Sequence, residues 1–381
     1  MLTAAPLAAA ILASATGATA TYSLMKEFSG DTFFDDWGFY GNYDNLTNGD
    51  VTFVTKANAT SEKLAYVNDA GKAIITVDNT TSVVYNYKRD SVRIATVDYY
   101  PVGSVIVFDV THLPYGCSVW PAFWTKGINW PAGGEIDIVE GVNLMTANQM
   151  ALHSDSGCSS SSSATMSGTV GSVTDCSNAS GCIIEESQSS SYGEAFANAG
   201  GGVWATEYST DGIKIWFWSR DNVPTTISAA GSSIDTSSWG TPSANWPASS
   251  CNVSEYFSGQ QLILDITLCG DWAGSASVYK ATCGGDGSAT ACYINNVINT
   301  PTNYTNAYFE INYIKIFSSS EVVLTPTVSG SSTILVTESA TATSSSSSAL
   351  SNDDSAAPSY ARAYAAFIEA TILSGASWLL L

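Results

Sequence analysis

Apolar positions between residues 24 and 319 recur in short runs, separated by clusters of Gly, Asn, Asp and Ser. Residues 105–110 place Ile106, Phe108 and Val110 on one face, the period-two pattern of a half-buried strand. Residues 203–208 and 213–218 flank Asp211-Gly212, which predicts a hairpin. Residues 261–268 and 308–317 predict further strands, and long amphipathic helices are nearly absent. Many short strands with turn signals over this length predict an all-β fold, one large β-sandwich rather than two domains. Residues 158–191 are too rich in Gly and Ser to pack by themselves, so their three cysteines are expected to pin them.

Composition narrows the function. Only 12% of the 381 residues are charged, about half the share of roughly 25% usual for a soluble chain. The 34 acidic residues outnumber 13 basic ones, for a net charge of -21. Nucleic acid is excluded as a partner, because neutralising phosphates takes a Lys/Arg patch. The 11 Trp and 19 Tyr exclude an acidic disordered chain, which lacks the apolar area to offset ordering entropy.

The two ends differ from the middle. Residues 1–20 hold no charge and close on Ala18-Thr19-Ala20, the layout of a secretory signal with a mature start near Thr21, although no Lys or Arg precedes the apolar run. Eight cysteines, all in the middle of the chain, fit an oxidising destination and permit four bridges. No C-x2-C pair occurs and the only histidines, His112 and His153, are far apart, so no zinc site is expected. Sequons at Asn45, Asn58, Asn79, Asn178, Asn252 and Asn303 are compatible with secretion, though a chain this rich in Ser and Thr makes several by chance. Residues 320–357 have no aromatic residue, Cys, Lys or Arg and predict an extended, O-glycosylated stalk. Residues 358–381 complete the layout of a glycosylphosphatidylinositol (GPI) signal: small residues within 351–357, a spacer, and an apolar tail at 370–381. Twelve apolar residues are too few to cross a hydrocarbon core about 30 Å thick.

The candidate chemistry lies in Trp120-Pro-Ala-Phe-Trp124 and, after a short gap, Trp130-Pro-Ala-Gly-Gly-Glu135-Ile-Asp137-Ile-Val-Glu140-Gly. On a regular strand Glu135 and Asp137 share a face while Glu140 points the other way. One β-bulge near Ile138-Val139 returns Glu140 to the face of Glu135. Two glutamates converging on one face suit retaining glycoside hydrolysis, in which the pair stands about 5–5.5 Å apart. At that distance, with an effective dielectric near 20, charging both costs roughly 3 kcal/mol, so one stays protonated and serves as the acid. An exposed acidic strand and a Ca²⁺ site are the rival interpretations of the same spacing.

Glu135-x-Asp137-x-x-Glu140 resembles the bulged signature of glycoside hydrolase family 16. The segments around it resemble the fungal laminarinase-type branch: Gly-Cys117-Ser-Val-Trp-Pro-Ala-Phe-Trp124 before it and Met-Ala-Leu-His153-Ser-Asp-Ser-Gly-Cys158 after it. So do Phe33-Phe34-Asp-Asp-Trp37, Trp204-Ala-Thr-Glu-Tyr, Cys269-Gly-Asp-Trp272-Ala-Gly and the closing Ala-Tyr-Phe-Glu-Ile-Asn-Tyr-Ile-Lys-Ile. The resemblance covers roughly residues 24–318 and makes residues 21–319 the catalytic domain. It implies a concanavalin-like β-jelly-roll with a concave glycan cleft, and retaining endo-hydrolysis of β-1,3- or mixed β-1,3/1,4-glucan. Carried over by position, Glu135 is the nucleophile, Asp137 its helper and Glu140 the acid/base. Trp120, Trp124, Trp130 and Trp272 are candidate sugar-stacking surfaces, each with core packing as its alternative, and His153 is either a cleft residue or a structural imidazole. No cofactor or metal is needed, and a monomer is expected. Two other functions remain on the same fold: a wall transglycosylase, in which a sugar intercepts the covalent intermediate, and an inert glucan-binding lectin. The extra residue in the motif favours hydrolysis over transfer, and the intact acidic set speaks against the lectin.

Overall fold

Phe108 and Phe123 meet with ring centroids 4.2 Å apart, each from a different antiparallel sheet. In the computed structural model, which describes residues 21–298, 300–329 and 332–339, these two sheets stack as a β-jelly-roll sandwich, the fold expected from the sequence. The expected signal, the distal stalk from residue 340 and the anchor signal lie outside the described residues.

The first sheet runs in spatial order Thr169–Val170, Cys182–Glu185, Gln149–His153, Glu135–Glu140, Val119–Lys126, Gln261–Leu268, Arg93–Thr96 and Trp37–Phe39. The second runs Ser233–Asp235, Thr21–Ser29, Tyr308–Ser318, Ser104–His112, Gly202–Ser209, Gly212–Ser219 and Ala244–Pro247. The predicted hairpin is present, closing at the Ser209–Gly212 pair.

Alternating side chains from both sheets fill the space between them: Ile106, Phe108 and Val110 on one side, Phe123, Ile136 and Leu264 on the other. The half-buried strand expected at 105–110 is buried on both faces. Its outward residues Val105 and Val107 join a second apolar cluster with Val203, Trp216 and Phe317, because the segment after Gly212–Ser219 folds Ile227, Ile234 and Trp239 over them. Apolar residues on both faces of a strand require such a second cover.

The extended stalk expected from residue 320 is also corrected at its start. Val322–Ser329 and Ser332–Ser339 pair as a hairpin, and Leu324 exchanges two backbone hydrogen bonds with Tyr99, at 2.8 and 2.9 Å. Leu324 and Leu335 close over Gly259, where a Cβ would lie 2.4 Å from Leu324 Cδ1. Lack of aromatics excludes a core, yet a run rich in Val, Ile, Leu and Thr still pairs as strands.

Four disulfides join Cys117–Cys283, Cys158–Cys251, Cys176–Cys182 and Cys269–Cys292. Two of them pin residues 158–191, as their composition requires.

Candidate active site

The Glu135–Glu140 strand contains the expected bulge. Against Val119–Lys126, Phe123 pairs with Val139 and Trp124 with Asp137, leaving Ile138 unopposed. Against Gln149–His153, Asp137 pairs with Ala151 and Glu140 with Gln149, again with one residue extra. Ile136, Ile138 and Val139 consequently all enter the core, while Glu135, Asp137 and Glu140 share the opposite face. A regular strand would have split the two glutamates between faces.

Aromatic and basic groups differentiate the three acids. Trp120 Nε1 donates to Glu140 Oε1 at 2.9 Å, and the Trp272 ring stands edge-on to Trp120 with centroids 5.6 Å apart. Trp130, 57% exposed on the loop before the strand, lies near Glu135 and favours its ionised form. His153 pairs across the ladder with Glu135, and its Nε2 lies 3.3 Å from Asp137 Oδ2 and 3.9 Å from Glu135 Oε1. Asp137 is buried, and among the described residues no donor is aligned for a hydrogen bond to its Oδ2, so its contact with His153 is electrostatic. Trp120 and His153 thus contact the carboxylates, Trp130 stands near Glu135, and Trp272 reaches them through Trp120. Trp124 does not: its Nε1 donates to Asp265 Oδ1 at 2.7 Å.

Three further residues, absent from the sequence-based set, bear on this site. Arg93 Nη1 donates to Asp265 Oδ1 at 3.2 Å, and its guanidinium lies 4.9 Å from the Trp124 ring centroid. Asn148 Nδ2 donates to Ile138 O, and Asn148 Oδ1 accepts from Glu140 N, both at 2.9 Å. Asp265 had a usable signal, a lone acid in the apolar run Gln261–Leu268; Asn148 had none, since its partners are visible only in three dimensions.

Burial and the neighbouring Asp137 charge push the Glu135 carboxyl up, while His153, Trp130 and Lys126 pull it back. Burial and Asp137 push Glu140 well above the carboxylate range, against Trp120 and a more remote His153. Both carboxyls therefore hold a proton more readily than an exposed glutamate does. Burial works against a charged His153, yet its contact with Asp137 and the charges of all three acids outweigh it, raising the imidazole to about 9. Asp265, also driven up by burial and partly restored by Arg93 and Trp124, reaches about 6. Glu135, Asp137 and His153 each present a possible ligand atom within 4.8 Å of the others, so a cation is the alternative occupant of this cluster.

Two acids with raised proton affinity on one aromatic-lined face match what glycoside hydrolysis requires. Comparisons with known proteins agree. The profile of the XgeA-like catalytic GH16 domain matches residues 37–317. A probable endo-1,3(4)-beta-glucanase of Aspergillus fumigatus is 41% identical over 304 residues, 78% of this chain and 45% of that protein. The chain thus spans less than half the length of that curated relative. Laminarinase 16A from Phanerochaete chrysosporium, solved with two beta-glucans in donor and acceptor sites, superposes with a TM-score of 0.73 at 35% identity, over 78% of this chain and 100% of that one. An elongating GH family 16 beta-1,3-glucosyltransferase superposes with a TM-score of 0.71 at 36% identity over the same shares. This chain belongs to glycoside hydrolase family 16.

Proposed function

We propose that this protein is a retaining endo-hydrolase of β-1,3- or mixed β-1,3/1,4-glucan. The observation that carries it is the bulge at Ile138, which turns Glu140 to the face of Glu135 and Asp137. Glu135, beside His153, is the nucleophile that attacks the anomeric carbon. Glu140 gives its proton to the departing glycosidic oxygen, and a covalent glucosyl-enzyme forms with inversion. Glu140, now the base, takes a proton from water, whose oxygen displaces Glu135 with a second inversion. Asp137 orients Glu135, and its charge helps keep the proton on Glu140. Trp120, Trp124, Trp130 and Trp272 offer ring faces to a neutral sugar chain, and Arg93 and Asp265 offer polar groups to its hydroxyls.

A second reading is favoured by the likeness to an elongating β-1,3-glucosyltransferase: the same intermediate passed to a sugar acceptor. One experiment separates them. Laminarin, lichenan and a 1,4-glucan are incubated with and without an added acceptor, and products are sized. Reducing-end release dominated by shorter products supports hydrolysis; products longer than the substrate identify transfer; no turnover on any glucan rejects both.

The protein works outside the cell as a monomer, tethered by a GPI anchor after residues 320–357. Four disulfides support an oxidising compartment. Release from membranes by a phosphatidylinositol-specific phospholipase C tests the tether, and a retained tail peptide would reject it.

A further inference from the structure

Glu140 owes its direction to a backbone irregularity, and that irregularity has its own support. At a bulge two residues oppose one, so ladder groups lose their usual partners. Ile138 C=O and Glu140 N–H bracket the bulge, and one side chain meets both: the Asn148 amide donates to the first and accepts from the second, each at 2.9 Å. A primary amide is the neutral side chain able to donate and accept at once through a planar fork. Asn148 is 1% exposed, so solvent has little access to take over either bond. Asn148 is itself held from outside the bulge, its N–H donating to Ser191 Oγ at 3.0 Å and its C=O accepting from Glu186 N at 2.9 Å. Beside Ser191, the Tyr192 ring lies so close to Gly141 that a Cβ there would come within 2.7 Å of it. Residues on both sides of the Glu140 backbone are thereby fixed by the end of the disulfide-pinned loop.

We propose that Asn148 is the positioning residue of Glu140: by clamping the bulge it aims the acid/base carboxyl at the glycosidic oxygen. The proposal rests on the glucanase reading and deepens it. Glu135 lies on the near side of the bulge, against His153 and Trp130, so loosening the clamp moves the acid and spares the nucleophile. A displacement of about 1 Å is enough to cost on the order of a hundredfold.

The test compares kcat/KM for laminarin with that for a 2,4-dinitrophenyl β-laminaribioside, whose leaving group departs without a proton. Asn148→Ala should lower the laminarin value about 10- to 100-fold and the aryl glycoside value less than about threefold. Ser191→Ala, which loosens Asn148 without touching the bulge, should give the same asymmetry at smaller amplitude and serves if Asn148→Ala does not fold. Equal losses on both substrates would mark a merely structural residue and overturn the proposal, as would no loss on laminarin in either variant. A wild-type protein inactive on both substrates would remove the glucanase reading, and this proposal with it.

Discussion

Glu135 and Glu140 leave one strand five residues apart, and their neighbours differ. Glu135 sits beside an imidazole, an indole N–H and an ammonium; Glu140 has one indole N–H and a more distant imidazole. Glu135→Gln keeps size and hydrogen bonding but removes the nucleophilic charge. Turnover should fall below detection while calorimetric binding of a laminari-oligosaccharide persists; retained turnover would take Glu135 out of the nucleophile role. His153 is charged through neutrality, because its imidazole is raised to about 9. That charge lowers the affinity of Glu135 for its proton, so His153→Asn lets Glu135 hold it to higher pH. The acid limb of the kcat/KM profile, where Glu135 must ionise, should move up in pH. An unmoved limb would make His153 a structural imidazole.

At the scale of elements, the bulge was legible in the sequence because two glutamates five residues apart, within an Ile/Val alternation, cannot share a face on a regular strand. Strands and hairpin were legible from period-two patterning and Asp211-Gly212. The second cover over Val105 and Val107 was not, because Ile227, Ile234 and Trp239 arrive from more than a hundred residues away. Nor was the hairpin at Val322–Ser329 and Ser332–Ser339, whose anchor is the bare backbone of Gly259 and the bridge to Tyr99. Arg93 escaped for the same reason, its partner Asp265 being distant in the chain, and Asn148 because its bonds to Ile138 and Glu140 exist only once the bulge has formed. The loop carrying Trp130 ends at Gly134, which has a φ of +74° and faces Phe257 so closely that a Cβ would lie 2.2 Å from the ring. Gly134→Ala should destabilise the fold by about 1–3 kcal/mol and lower kcat as Glu135 shifts, read by denaturant melts and laminarin kinetics. Wild-type stability in that variant would mean the ring yields freely.

Over the whole molecule, the low charge content is consistent with the proposed neutral substrate. Part of the shortage lies in residues 1–20 and 320–381, and what charge the site holds is concentrated in a few partly or fully buried groups. Disulfides take over where loops are too polar to pack. Cys269–Cys292 closes the segment beginning just before Trp272, with a sequence separation of 23. Replacing both cysteines by Ser should cost about 3 kcal/mol in denaturant unfolding. It should also raise KM for laminarin, because the Trp272 ring loses its fixed stance against Trp120. Unchanged KM would detach Trp272 from binding.

The central claim, two displacements at one anomeric carbon by Glu135 and Glu140, is tested most directly by proton NMR of laminarin hydrolysis in its first minutes. The newly formed reducing ends should appear as the β-anomer, with the α-anomer rising only as mutarotation proceeds. An initial α-anomer would contradict it.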